Sequence, residues 1–135
     1  MNILFLGAPG SGKGTQSKKI ESKFNIPQIS TGDLLRAETA SESKMGQELK
    51  NIMSSGKFVS DDIVLKLVSK KITSSDCKNG FILDGFPRNL SQASSLDSLL
   101  SDLDLSIEYV FLIDVPIDLI IKRCVGRITC NTCGR

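Results

Sequence analysis

A continuous apolar run, Ile3-Leu4-Phe5-Leu6, stops at Gly7 and is followed by Ala8-Pro9-Gly10-Ser11-Gly12-Lys13-Gly14-Thr15. The run is short, unalternating and closed by glycine, which suits a strand buried on both faces of a parallel sheet. The stretch Thr15 to Phe24 reads as helix. A glycine-rich loop between such a strand and such a helix can point consecutive backbone N–H groups inward around phosphate oxygens. The helix N-terminus adds partial positive charge, and Lys13 adds a full one. The alternative is a glycine-rich turn with no ligand; the preceding strand, the two further glycines and the following helix favour nucleotide binding. The hydroxyl of Thr15 comes one place later than in the strict pattern, because Gly14 follows the lysine, and this leaves a direct Mg²⁺ role for it open.

Further along, Gln28-Ile29, Phe81-Ile82-Leu83 and Tyr109-Val110-Phe111-Leu112-Ile113 are strand candidates, the last two each closed by an aspartate. Helical patterns lie between them: Met45, Leu49, Ile52 and Met53 before the stop at Gly56, then Val64, Leu67, Val68 and Ile72 after Asp61-Asp62. Leu96, Leu99 and Leu100 mark another helix, and Pro116 opens a last one with Ile117, Ile120, Ile121, Cys124 and Val125 on one face. Strand-helix alternation of this kind predicts an α/β fold, a parallel sheet flanked by helices.

Composition narrows the chemistry. With 135 residues, 40% hydrophobic and 24% charged, the chain reads as one soluble domain with a single core. A net charge of +2 is far from the basic excess of a nucleic-acid binder, and no apolar run approaches the roughly 18 residues of a membrane span. A cytoplasmic protein without nucleic-acid or membrane partners is expected. The absence of histidine excludes Ser-His-Asp and Cys-His nucleophile systems and histidine zinc sites. Cys77 and Cys124 read as buried or half-buried thiols.

Asp84 closes a strand, so its carboxylate would emerge beside the phosphate loop and could hold Mg²⁺ directly or through water; the alternative is a helix N-cap. Arg36, Arg88, Arg123 and Arg127 are guanidinium candidates for a site where two phosphorylated substrates meet. Singly, each would read as a solvated surface residue.

Beyond the loop, Ser30-Thr31-Gly32-Asp33-Leu34-Leu35-Arg36, then Asp84-Gly85-Phe86-Pro87-Arg88 with Gln92, then Arg123-Cys124-Val125-Gly126-Arg127, are similar in order and spacing to motifs of the adenylate kinases, members of the nucleoside monophosphate kinases. The chain resembles that family over essentially its whole length, in its zinc-lid form. The resemblance implies a P-loop core at 1–29 and 60–125, a helical AMP-binding insert at 30–59 and the start of a lid at 126–135. It implies a transferase that moves a phosphoryl group reversibly from ATP to AMP, giving two ADP, with Mg²⁺ as cofactor and adenine nucleotide homeostasis as its setting.

Carried over residue by residue, Gly10, Ser11, Gly12, Lys13, Gly14, Thr15, Arg123 and Arg127 are implied to bind ATP. Thr31, Gly32, Arg36, Lys57, Phe58, Val59, Gly85, Phe86, Pro87, Arg88 and Gln92 are implied to bind AMP. Gln92 is implied to address the adenine edge, its alternative being an exposed helix residue. Lys13, Asp84, Arg88 and Arg127 are implied to be catalytic, with Asp84 touching Mg²⁺ through water. A monomer is expected.

Cys130-Asn131-Thr132-Cys133 resembles half of a tetrahedral structural zinc site, which needs four ligands. A redox pair or a fortuitous spacing are the alternatives. On this reading the chain is an N-terminal portion, lacking the rest of the lid and the last strand and helix of the family fold. It would then turn over poorly or not at all, and Tyr109 to Ile113 would form an exposed apolar edge. Two rival functions are another P-loop small-molecule kinase, such as a uridylate-cytidylate or shikimate kinase, and a nucleotide-binding module that transfers no phosphate.

Overall fold

The computed structural model describes residues 1–55 and 59–126, with the side chain of Met53 left aside. Four strands, β1 (Asn2–Leu6), β2 (Gln28–Ser30), β3 (Phe81–Asp84) and β4 (Tyr109–Leu112), pair in the order β2-β3-β1-β4, all parallel. Among the described residues six helices accompany them: α1 (Lys13–Phe24), α2 (Thr31–Ala40), α3 (Lys44–Ser54), α4 (Asp61–Ile72), α5 (Leu90–Asp102) and α6 (Ile117–Val125). A short 3-10 turn at Ser75–Cys77 leads from α4 toward β3.

The unalternating apolar runs of β1 and β3 are explained by cover on both faces. Leu4, Ile29, Phe81 and Leu83 point into a core with Val68 and Ile72 of α4 and Leu96 and Leu100 of α5. Ile3, Phe5 and Ile82 point the other way, against Ile26 and Ile20 beyond and on α1. Successive strand residues therefore serve opposite layers, and a polar residue on either face would be buried.

β4 departs from this pattern. It lies at one edge among the described residues, and Tyr109, Val110, Phe111 and Leu112 are 50%, 57%, 43% and 70% exposed. Phe111 still stacks on Phe5, with ring centroids 5.5 Å apart. The apolar stripe of α6 is uncovered too: Ile117, Ile121 and Val125 are exposed. Cys124, expected to be at least half-buried, is exposed for the same reason, while Cys77 is buried as expected. No described helix is long and apolar enough to cross a membrane.

The register sets the site. Phe5 pairs with Asp84 and Ser30 with Asp84, so β1, β2 and β3 end side by side at their carboxyl ends. That is where ligands of open parallel sheets bind, since each loop leaves the sheet there toward a helix N-terminus.

Candidate active site

From the end of β1 the chain turns through a loop with Gly7, Gly10 and Gly12 at φ of 143°, 81° and 105°. A side chain at Gly7 would be doubly penalised, by its φ and by a Cβ only 2.5 Å from the Ile113 carbonyl oxygen. Gly12, left-handed, is the N-cap of α1, and no side chain caps the helix. Among the described residues no side chain takes the N–H groups of that first turn.

Lys13, the first residue of α1, curls back so that its Nζ donates to the carbonyl oxygens of Gly7 (2.8 Å) and Ala8 (3.0 Å). Ser11 is buried in the loop and its hydroxyl has no partner; Ser17 on α1 is in the same state. Over the loop lies α6: Arg123 Nη1 donates to Gly10 O at 3.2 Å, and Cys124 Sγ donates to Pro9 O at 3.5 Å. Two features expected to act together, the Gly10 to Thr15 segment with its Lys13 and the Arg123 guanidinium, are thus gathered at one end of the sheet.

Asp84 stands at the end of β3, next to the loop. Its Oδ2 accepts from Gln28 Nε2 at 2.7 Å, and a Cβ on Gly14 would lie 3.6 Å from that same oxygen. The N-cap alternative for Asp84 does not arise, because Asn89 caps α5, its side chain accepting from Gln92 N.

Beyond Asp84 a second cluster forms around Gly85. Its carbonyl oxygen accepts from Thr31 Oγ1 at 3.3 Å and from Arg88 Nε at 2.8 Å, and Arg88 Nη2 reaches Thr31 Oγ1 at 3.5 Å. Arg36 lies on the same helix as Thr31, its guanidinium 3.3 Å from where a Cβ on Gly32 would stand, and pairs with Asp33. Both partners of that pair are more than two-thirds exposed, so it is worth about 0–1 kcal/mol and is easily exchanged. Phe86 is buried and Pro87 half-buried, shaping the turn between Asp84 and Arg88. Val59 is half-buried just before α4.

Gln92 is neither free nor an exposed helix residue. It is 7% exposed, its Oε1 accepts from Arg88 N at 2.7 Å, and its Nε2 donates to Asp61 Oδ1 at 2.6 Å. Lys57, Phe58, Arg127, Cys130 and Cys133 lie outside the described residues. Among the described residues no three His, Cys, Asp or Glu side chains converge as a metal site.

Gln28, Asp61 and Asn89 were not singled out from the sequence. Gln28 carries no signal beyond its place in a strand candidate. Asp61 had one, the acidic start of α4, but that feature also serves the helix dipole and so says nothing of a distant partner.

Residues 5–131 match the sequence profile of the family described as adenylate kinase. The chain belongs to the adenylate kinase family. An adenylate kinase of Thermodesulfovibrio yellowstonii is 50% identical over 135 residues, covering 100% of this chain and 63% of its own length. Adenylate kinases of Archaeoglobus fulgidus and Nitrosococcus oceani are each 46% identical over 134 residues, which is 99% of this chain and 62% of theirs. The chain therefore spans under two-thirds of the length of these adenylate kinases.

Proposed function

We propose that this chain carries the nucleotide sites of an ATP:AMP phosphotransferase, which moves the terminal phosphoryl group of ATP to AMP and gives two ADP. The observation that carries the reading is the placement of two cation-bearing clusters on either side of Asp84. Lys13 and Arg123 lie with the phosphate loop on one side, and Arg88 and Arg36 lie with Thr31 on the other. A reaction that brings the triphosphate of ATP against the monophosphate of AMP needs this double supply of positive charge.

On the ATP side, Gly10 to Thr15 would wrap the phosphates with backbone N–H groups. Lys13 would exchange its two carbonyl partners for phosphate oxygens, and Arg123 would lie over the nucleotide, with Arg127 reaching the phosphates. On the AMP side, Thr31, Gly32, Arg36 and Gly85 to Arg88 would receive the monophosphate, with Lys57, Phe58 and Val59 completing that wall and Gln92 reading the base. Residues 30–59 would act as the AMP-binding insert and 126–135 as the start of a lid.

The chemistry needs no general base, because a phosphate oxygen of AMP is already ionised at neutral pH. That oxygen attacks the terminal phosphorus of ATP while the bond from this phosphorus to its bridging oxygen breaks, and ADP leaves with the electron pair. The residues contribute alignment, neutralisation of charge and exclusion of water. A chain with no histidine is suited to such a reaction.

Mg²⁺ fits the Asp84 site. Its carboxylate is a hard oxygen donor, held by Gln28 and lying beside Gly14 of the loop. When bound, the ion would neutralise charge on the ATP phosphates. Cys130 and Cys133 offer soft sulfur donors for a structural Zn²⁺, two of the four it takes. We take the working unit as a single cytoplasmic chain, since one copy supplies both described clusters.

The test is a coupled assay of ADP formation by the 135-residue chain with ATP and Mg²⁺ and, in turn, AMP, UMP, CMP and GMP, beside titrations with a labelled ATP analogue and with AMP. AMP-dependent ADP formation supports the proposal. Turnover with another monophosphate alone would overturn the acceptor assignment, and tight binding of the ATP analogue with no binding of AMP would identify a nucleotide-binding module.

A further inference from the structure

Asp61, the first residue of α4, is tied to the start of α5 by two bonds. Its Oδ1 accepts from Gln92 Nε2 at 2.6 Å and its Oδ2 from Asn89 Nδ2 at 3.4 Å. Gln92 is 7% exposed, and its Oε1 accepts from Arg88 N at 2.7 Å. These two neighbours admit only one orientation of the Gln92 carboxamide. Turned over, it would set its oxygen against a carboxylate that can only accept and its NH₂ against a backbone N–H that can only donate. Each mismatch leaves a part-buried polar group without a partner.

A carboxamide has two N–H donors and two acceptor lone pairs. One of each is taken, by Asp61 and Arg88, so one donor and one acceptor remain, in positions that cannot interchange. The base edges of 6-aminopurines and 6-oxopurines are complementary in opposite senses. Adenine presents an amine donor beside the N1 acceptor, whereas hypoxanthine and guanine present a carbonyl acceptor beside an N1–H donor. A glutamine free to turn over would read either edge; a locked one reads one.

We propose that Asp61 is a positioning and specificity residue, which locks Gln92 for the 6-aminopurine edge and so disfavours 6-oxopurine monophosphates. The inference rests on the reading of this cluster as the AMP site. Asp61 touches no substrate in this role. It acts through Gln92, and its effect lies in the ratio between two acceptors rather than in activity as such.

The experiment is calorimetric titration of the full 135-residue chain with AMP and with inosine monophosphate, which differ only at this edge, for the parent, Asp61→Asn and Asp61→Ser. Both replacements can donate or accept, so both permit the turned-over amide. The AMP preference should fall about tenfold in each, chiefly through tighter inosine monophosphate binding, while ATP-analogue affinity stays put. Circular dichroism melts check folding, and the serine variant serves if the asparagine variant fails to fold. A parent preference for AMP that stays within about twofold in the variants, or an equal weakening of both ligands, overturns the Asp61 inference alone. Failure of AMP to bind the parent overturns the acceptor-site reading, and the inference with it.

Discussion

Lys13 has its ammonium in contact with two carbonyl oxygens of its own loop, which holds the charge over that loop. Replacing it by methionine keeps the aliphatic stem and removes the charge. Affinity for an ATP analogue should then fall by about 10–100-fold with the melting temperature little changed, as titration and a thermal melt would record. A second residue-scale prediction concerns Asp76. The hydrogen bond from Lys71, and after it that from Ser74, hold its carboxyl at about 2, below the ordinary 3.8. A depressed acid stabilises the fold above its unfolded value, and that contribution is lost as pH falls from near 4 through about 2. Carboxyl-carbon NMR should follow this low titration, and Lys71→Met should return it toward the ordinary value. At Cys77 the direction is opposite: burial, first of all, pushes the thiol up.

At the scale of elements, the helical pair α2 and α3 depends on Gly46. A Cβ there would lie 2.3 Å from the Glu38 carbonyl oxygen and 2.8 Å from that of Ser41, both backbone atoms that cannot swing aside. Gly→Ala inside a helix ordinarily gains about 1 kcal/mol. Here the forced separation of two helices, at about 1–3 kcal/mol, should outweigh that gain. Gly46→Ala is therefore expected to lower the urea midpoint, and a raised midpoint would refute the close approach. The sequence signal for α3 was its apolar spacing at Met45, Leu49 and Ile52; nothing in it distinguished Gly46 from a tolerated helical glycine. The same limit applied to Gln92. Its helix was legible from Leu96, Leu99 and Leu100, but its anchor Asp61 lies 31 residues away on another helix.

For the whole molecule, the β4 edge is an exposed apolar feature among the described residues. Tyr109 to Leu112 carry no charge and no proline, the two devices that commonly discourage strands from pairing edge to edge. Val110→Lys, at a position 57% exposed, should raise the concentration at which the chain stays monodisperse in light scattering and leave the melting temperature nearly unchanged. A drop in melting temperature would mean that Val110 packs more tightly than its exposure indicates.

Parallel α/β order, the glycine-rich loop with its lysine and the place of Asp84 at a strand end could be read directly from the chain. Each rests on neighbours in sequence: an apolar run, glycines beside a lysine, an aspartate closing a strand. Only the tertiary structure decided which groups meet. Strand order β2-β3-β1-β4 brings Asp84 beside both Gly14 and Gln28, and it sets Thr31 against Gly85 and Arg88. It also decided that Cys124 is exposed and that the Gln92 amide is already engaged by Arg88 and Asp61. Periodicity records which face of an element is buried; the partner on the other side is fixed by packing among residues far apart along the chain.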